Sequence, residues 1–175
     1  IGGTGVLTIA AIVAMAAHIE GKGCATMNQT GLAQKFGAVV SHVRVGKTQA
    51  DINAVRIPAG DADLLLGCDL VVTAGDEAMA KVNMERSSAI VNSYETPTAD
   101  FISNPDVIYP ADAMKQTVIE EVGKEKVSFI DATAIASNLL DDSIGSNLFL
   151  LGYAYQSGLV PVSAVSIAEA IELNA

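Results

Sequence analysis

The hydrophobic pattern of the chain predicts short buried strands that alternate with helices. Residues 4–20 carry Ala, Ile, Val and Met on nearly every side, which predicts a central helix that Gly21 and Gly23 end. Apolar or β-branched runs predict strands at 24–29, 38–45, 70–74, 88–92 and 127–131. Helices are expected at 61–67, 76–83, 112–124, 133–140, 144–156 and 162–173.

This alternation predicts an α/β fold, a three-layer Rossmann-like domain with a largely parallel sheet. Residues 94–110 hold three of the five prolines and show no clean period, so a long loop is expected there. No repeat or linker interrupts the pattern, and residues 1–175 are therefore expected to form a single domain. The chain opens directly on a glycine turn, so its N-terminal strand is expected to be missing or truncated.

Composition narrows the class of protein. Half of the 175 residues are hydrophobic and 17% are charged, which excludes intrinsic disorder. The longest largely apolar run, residues 6–17, is shorter than the roughly 20 residues of a membrane span. Two cysteines cannot form a disulfide framework, so a cytoplasmic protein is expected.

The net charge of −10 disfavours nucleic acid and anionic membranes as partners. The charge is unevenly distributed, because residues 21–60 contain five basic residues and one acid. The remainder from residue 61 onward contains five basic residues and eighteen acids. The early segment is thus locally positive, which suits a small anionic ligand or an acidic partner.

The opening glycines carry the first candidate site. Gly2, Gly3, Thr4 and Gly5 lead into the predicted helix, and one more glycine before Ile1 would complete a G-x-G-x-x-G spacing. Such a turn lets backbone N–H groups bind a phosphate at a helix N-terminus, although a tight turn without a ligand is the alternative. Classical NAD binding is disfavoured, because the next strand ends without the acid that holds the ribose.

A second candidate group follows in the positive segment. Lys35 lies in the loop that leads into the predicted strand 38–45, and along that strand His42 and Arg44 share one face while Ser41 lies on the other. Arg44 with His42 could bind a phosphate or carboxylate. The alternative is a surface ion pair beside a hydrogen-bonded histidine. We take Lys35, Ser41, His42 and Arg44, together with the glycine turn, as candidate cofactor-binding residues.

No catalytic or metal-ligating residue is predicted. His18 is interpreted as a packing or helix-end histidine, and Cys24 and Cys68 as core thiols. The sequence contains no HExxH, CxxC or Walker A motif.

Three stretches resemble a known family: residues 1–6, residues 30–44, and residues 147–152 with 158–161. They are similar to the gamma domain of 2-oxoacid:ferredoxin oxidoreductases, and within that family to the indolepyruvate:ferredoxin oxidoreductase branch. The resemblance extends over nearly the whole chain. The run from Thr30 to Arg44 is its most specific part, whereas the glycine turn alone is not specific.

The resemblance implies an oxidoreductase that decarboxylates a 2-oxoacid oxidatively, forms an acyl-CoA and reduces ferredoxin. Thiamine diphosphate and iron–sulfur clusters are expected on partner domains, since a cluster needs four cysteines and this chain has two. The chain is then a fragment or one subunit of a larger enzyme, an accessory domain that is inactive alone.

The glycine turn and the basic segment motivate the hypothesis that this domain helps to hold the CoA pyrophosphate. Its expected partners are the thiamine-diphosphate and ferredoxin-type domains of the same enzyme, and ferredoxin for the whole complex. Its apolar composition predicts a homo-oligomer when it is isolated. The alternatives are a stand-alone nucleotide-binding module and a purely structural interaction domain.

Overall fold

The computed structural model describes residues 1–2, 5–30, 38–95 and 109–174. The strands are β1 (Gly23–Thr30), β2 (Val39–Gly46), β3 (Leu64–Gly67), β4 (Ser88–Asn92) and β5 (Val127–Ile130). The α-helices are α1 (Val6–Ile19), α2 (Leu70–Thr73), α3 (Asp76–Met79), α4 (Ala111–Val122), α5 (Ala132–Leu140), α6 (Ser146–Gln156) and α7 (Ala164–Asn174). Short 3₁₀ turns lie at Gln49–Asp51, Lys124–Lys126 and Ser143–Gly145.

The described strands form two separate sheets. Strands β1 and β2 pair antiparallel, from Gly23 opposite Gly46 to Thr30 opposite Val39. Strands β3, β4 and β5 pair in that order and all run parallel. The α/β fold is therefore confirmed, with its parallel part in the second sheet.

Helices cover both faces of the parallel sheet. On β4, Val91 points to the face where it packs in one core cluster with Val118 of α4. The next residue back, Ile90, points to the opposite face and packs with Leu150 of α6. A parallel sheet buried on both faces is the arrangement expected of a three-layer α/β domain.

Two predicted elements were wrong, and they are neighbours. Residues 61–67 were expected to be helical but contain strand β3, and residues 70–74 were expected to be a strand but contain helix α2. The carboxylate of Asp69 accepts a hydrogen bond from the Val72 N–H at 2.9 Å and so begins the helix. A short apolar run is compatible with either structure when it is fully buried, so periodicity could not decide between them.

The other predicted elements agree with the structure. The remaining strands are confirmed to within one residue of their predicted bounds, and the five long helices to within two. Helix α3 is shorter than expected and ends at Met79. Most of the predicted loop 94–110 lies outside the described residues. Among the described residues, no helix has the length and hydropathy of a membrane span.

The carboxylate of Glu20 ties the end of α1 to the beginning of α7. Its Oε1 atom accepts hydrogen bonds from the Ser163 N–H and from the Ser166 hydroxyl, both at 2.6 Å. Its Oε2 atom lies 2.7 Å from the Lys22 ammonium. The ion pair with Lys22, followed by the hydrogen bonds from Ser166 and Ser163, holds the pKa of Glu20 well below its usual range.

We predict that Glu20→Gln lowers the melting temperature at neutral pH, because the neutral amide loses the ion pair with Lys22. Since the pKa of Glu20 is lowered on folding, its stabilisation is present above the unfolded value of 4.5 and is lost as the pH falls below it. Thermal unfolding of both proteins between about pH 7 and pH 3 should show that the difference between their melting temperatures becomes smaller as the pH falls. Glu172→Gln, at an exposed position of α7, is the control. A difference in melting temperature between wild type and Glu20→Gln that does not change with pH would contradict a stabilising role of the ionised Glu20 carboxylate.

Candidate functional site

The glycine turn lies between β2 and the carboxyl end of β3. The Ile1 amino group donates a hydrogen bond to the Leu66 carbonyl at 2.9 Å, and the Cys68 N–H donates to the Ile1 carbonyl at 2.7 Å. On the other side, Gly2 and Val39 exchange two backbone hydrogen bonds of 3.1 and 2.8 Å. The start of the turn is thus held by backbone pairing on both sides.

Both described glycines of the turn are required by their surroundings. A Cβ atom on Gly2 would lie 2.9 Å from the Cβ of Cys68, closer than real Cβ contacts. Gly5 precedes α1 with a left-handed φ of 69°, and a Cβ there would collide with the amide of Asn147. The close approach at Gly2 and the left-handed conformation at Gly5 therefore require glycine, while a ligand at this turn stays a prediction.

A buried polar side chain lies at the carboxyl edge of the parallel sheet, where the turn begins. Asn92 at the end of β4 is buried, and its Nδ2 donates to the Thr133 hydroxyl at 2.8 Å. Its Oδ1 accepts from the Ala132 N–H at 3.1 Å and from the Tyr94 N–H at 3.3 Å. Open α/β sheets bind ligands at this edge. Sequence reasoning missed it, because the assignment of 61–67 as helix hid where β3 ends.

The acids at this edge serve the helices that follow the strands. Asp69 begins α2, and Asp131 accepts from the Ala134 N–H at 2.8 Å to begin α5. Burial raises the pKa of the Cys68 thiol, which favours its protonated form near neutral pH. The described residues at this edge can position a ligand but offer no nucleophile paired with a base.

The structure separates Arg44 from the glycine turn. Val39 contacts Gly2, and β2 then runs away from the turn at about 3.3 Å per residue, which puts Arg44 roughly 16 Å along the strand. The Arg44 guanidinium lies 3.8 Å from Asp61 and donates to the Arg56 carbonyl at 3.3 Å. This is the surface ion pair that the sequence analysis left open as an alternative. Three candidate residues lie outside the described residues: Gly3, Thr4 and Lys35.

Ser41 and His42 both form hydrogen bonds within the protein. The Ser41 hydroxyl donates to Asn28 Oδ1 at 2.7 Å. His42 is only 2% exposed; its Nδ1 accepts from the Ile57 N–H at 3.2 Å, so the proton is on Nε2, which donates to Gln29 Oε1 at 2.9 Å. His42 therefore corresponds to the hydrogen-bonded histidine of the alternative, and its binding role stays a prediction.

The pKa of His42 is lowered in the folded protein. Burial is the main cause, and the positive charges of Lys81 and Arg56 lower it further, against a smaller opposite effect of Glu77. The neutral ring is also the form that can accept the Ile57 N–H. Protonation would therefore break that hydrogen bond.

A cleft of about 570 Å³ lies between β2 and β3. Its basic groups are largely paired with acids: Arg86 forms ion pairs with Asp61 and with Asp63, and Arg44 faces Asp61. The rest of its lining is mainly apolar and includes Ile9 of α1. Of the described basic residues in the positive segment 21–60, only Arg44 lines the cleft, and its charge faces Asp61. The ion pairs of Arg44 and Arg86 do not favour an anion inside the cleft.

Among residues 1–2, 5–30, 38–95 and 109–174, no group of three or more potential metal ligands is present. Cys24 and Cys68 are free thiols that pack in different core clusters. They do not fit an iron–sulfur cluster, which needs four cysteine ligands.

Comparison with known proteins finds similarities that extend along the whole chain. The sequence profile of the family described as "Pyruvate ferredoxin/flavodoxin oxidoreductase" matches residues 1–174. The "Indolepyruvate oxidoreductase subunit IorB" of Thermococcus kodakarensis is 29% identical over 176 residues, covering 99% of this chain and 82% of that protein. The subunit of the same name from Pyrococcus horikoshii is 28% identical over 175 residues, with coverage of 99% and 82%.

A solved structure has the same fold. The pyruvate oxidoreductase subunit PORC of Thermotoga maritima superimposes with a TM-score of 0.62 at 19% sequence identity. The match covers 99% of this chain and 80% of that chain. The described fold is therefore shared with a chain of known structure.

We predict that the free energy of unfolding falls as the pH decreases from about 7.5 to about 5.5, and that His42 causes part of the fall. Because its pKa is lowered on folding, its contribution is complete above the unfolded value of 6.5 and is lost below it. Urea unfolding at both pH values should show a weaker pH dependence for His42→Gln than for wild type. His18→Gln, at the exposed histidine of α1, should keep the wild-type dependence. Equal dependences in all three proteins would be incompatible with this role of His42.

Proposed function

Because the chain belongs to the pyruvate ferredoxin/flavodoxin oxidoreductase family, we propose that it is the accessory, gamma-type unit of an indolepyruvate:ferredoxin oxidoreductase. The observation that carries this proposal is the similarity to two IorB subunits along 99% of the chain. The shared fold with a pyruvate oxidoreductase subunit supports the broader assignment to 2-oxoacid oxidoreductases.

In this proposal the complete enzyme decarboxylates a 2-oxoacid in the presence of CoA. The bond to the carboxylate carbon breaks and that carbon leaves as CO₂. The acyl carbon forms a thioester with the CoA sulfur, the CoA thiol releases its proton, and two electrons pass to ferredoxin. Thiamine diphosphate would supply the carbanion chemistry and iron–sulfur clusters the electron path, both on partner domains. This chain has two cysteines and no Gly-Asp-Gly…Asn motif, so its own residues do not fit either group.

This chain's own part is to support the partner domains and to help hold CoA. The glycine turn lies at the carboxyl edge of the parallel sheet, before the 14-residue helix α1. Gly5 carries no side chain that could cover the first N–H groups of α1, and a helix N-terminus favours an anion such as a pyrophosphate. These features support a phosphate contact at the turn.

Exposed apolar side chains support a partner contact at the end of α5 and the following 3₁₀ turn. Leu139, Leu140 and Ile144 are 73, 62 and 83% exposed. Neighbouring exposed apolar residues mark interaction surfaces more often than isolated ones do. We propose that these three residues contact a partner subunit.

The isolated chain and the assembled complex should differ in activity. The chain alone should not reduce ferredoxin with indolepyruvate and CoA, whereas its complex with the thiamine-diphosphate and iron–sulfur subunits should. Ile144→Glu should reduce the amount of chain that co-purifies with those subunits by about tenfold or more, because a carboxylate would be buried at the contact. Activity is measured as indolepyruvate-dependent reduction of ferredoxin, with pyruvate as the comparison substrate.

Val165→Glu is the matched control, since Val165 is 77% exposed but lies on α7. It should assemble as the wild type does. Turnover by the chain alone would contradict the accessory role. Saturable binding of NAD or FAD by the chain alone, without association with the partner subunits, would instead favour a stand-alone nucleotide-binding module.

CoA binding should depend on the glycine at position 5. Gly5→Ala should weaken CoA binding to the assembled enzyme by about tenfold or more, because a side chain at φ 69° displaces the turn and collides with Asn147. Isothermal titration measures the affinity. Gly152→Ala in α6 is the matched control, because no atom lies within 4 Å of the added Cβ. Unchanged affinity in a folded Gly5→Ala enzyme would remove the ligand role and leave a purely structural one.

A further inference from the structure

We propose that the outer edge of β1 binds an extended segment of a partner subunit, which adds to the sheet as one more strand and packs its side chains on α1. The segment is apolar on the side that faces α1 and carries an acidic residue at one end. This inference rests on the proposed assembly with partner subunits. It adds a second contact surface to the one formed by Leu139, Leu140 and Ile144.

Every second residue of β1 directs its backbone groups away from β2. Val39 bonds to Gly2 through both of its backbone groups, so neither group is directed toward Thr30, its neighbour on β1. These directions alternate along an antiparallel pair, so the even-numbered residues of β1 all direct their backbone groups outward. The Cys24 N–H shows the same alternation, because it donates to Gln49 Oε1 at 3.1 Å and not to β2.

The open part of this edge begins after the Gln49 side chain. Gln49 satisfies the first outward N–H, that of Cys24, as the carbonyl of a neighbouring strand would. Within the part of the chain that the structure describes, no hydrogen bond reaches the outward N–H and carbonyl groups of Thr26 and Asn28. An added strand would bond to both residues through its own alternate backbone groups.

The composition of β1 lacks the features that keep an exposed edge from pairing. Edge strands are normally protected by charged side chains, by proline or by a bulge. The strand Gly23–Thr30 contains no charged residue and no proline, and its register with β2 is continuous over all eight residues. An unprotected edge of this length is expected where a partner strand pairs with it.

Helix α1 presents an apolar face beside this edge. Its 14 residues include no Asp, Glu, Lys or Arg, and a helix that is apolar on all sides is normally buried. Leu7 and Ala11 are nevertheless exposed. Ala11, Ala14 and Met15 line a groove of about 320 Å³ between α1 and the β1 edge, which we call the edge groove. The side of α1 that packing within this chain leaves open therefore borders the open strand edge.

An added strand would contact both surfaces at once. Cys24 packs in one core cluster with Ile12 of α1, so the side chains of β1 that share its face, including Thr26, point to the α1 side. Neighbouring strands lie about 4.8 Å apart, so alternate side chains of the added strand would point into the edge groove. Ala11 and Ala14 are small and leave room for them. The β1 edge thus requires an extended segment, and α1 requires that one side of it be apolar.

The charges at the edge groove favour an acidic residue at one end of the partner segment. His18 and Lys22 line the groove at the end of α1, and none of the described residues that line it is acidic. Lys22 pairs with Glu20, whereas Lys47, which follows β2 at the same end of the hairpin, is exposed. Residues 21–60 as a whole contain five basic residues and one acid. A carboxylate on the partner segment would be attracted to this end, whereas a basic residue would be repelled.

The test compares hydrogen exchange of the protein alone and in complex with the thiamine-diphosphate and iron–sulfur subunits. The Thr26 and Asn28 amides, which point outward, should exchange at least about tenfold more slowly in the complex. The Met27 amide, which points toward β2, is the internal control and should change less.

Proline at position 26 separates the strand contact from the fold. Thr26→Pro removes an outward N–H that the ladder with β2 does not use, and proline is tolerated on an edge strand. This variant should weaken assembly by about tenfold or more and should remove the protection of the Asn28 amide in the complex. Thr26→Val, which keeps the N–H, is the matched control and should assemble as the wild type does.

Two substitutions of His18 test the charge of the partner segment. His18→Glu should weaken assembly by about threefold or more, because it places a carboxylate beside the acidic end of the segment. His18→Lys, a side chain of similar length and opposite charge, should assemble at least as tightly as the wild type. Equal effects of the two substitutions would contradict an acidic segment.

Three further outcomes would overturn the proposal. The first is equal exchange of the Thr26 and Asn28 amides in the protein alone and in an active complex. The second is slow exchange of these amides in the protein alone, which would assign the edge to a second copy if it depends on protein concentration, and to this chain's own residues if it does not. The third is wild-type assembly of Thr26→Pro. An active complex with any of these results would leave the proposed function intact, whereas failure to form a complex would overturn both.

Discussion

The backbone pairing of Ile1 and Gly2 is the constraint on which the site depends. These two residues hold β3 on one side and β2 on the other, and they place the glycine turn at the carboxyl edge of the parallel sheet. The close approach of Gly2 to Cys68 leaves no room for a side chain. The start of α1 is positioned by this junction, and α1 in turn packs against α7.

The distribution of charge in the fold explains why the chain is an accessory unit in our proposal. Arg44 and Arg86 at the cleft are paired with Asp61 and Asp63, and the carboxylates Asp69 and Asp131 at the sheet edge begin helices. Both cysteines are buried enough for their thiol pKa values to be raised. These groups stabilise the domain, and in our proposal the chemistry comes from partner domains.

The candidate site was only partly predictable. The need for glycine at positions 2 and 5 follows from the sequence spacing, and the structure shows the contacts that require it. The grouping of Arg44 with the turn did not follow from spacing, because a strand carries its residues away from its first pairing point. Asn92 was not identified, since a single amide after an apolar run has no sequence signature. The Asn92 amide hydrogen-bonds to Ala132 and Thr133, which lie forty or more residues later in the chain.

By itself, the sequence determined the α/β class, the bounds of most helices and strands, and the family resemblance, because burial patterns and turn glycines are local properties. Tertiary structure decided that residues 64–67 are a strand and 70–73 a helix, since both runs are buried and only their partners distinguish them. It also decided which basic residues are paired and which strand edges face the cleft. Those properties arise from contacts between distant segments, and the order of residues along the chain does not encode them in any local pattern.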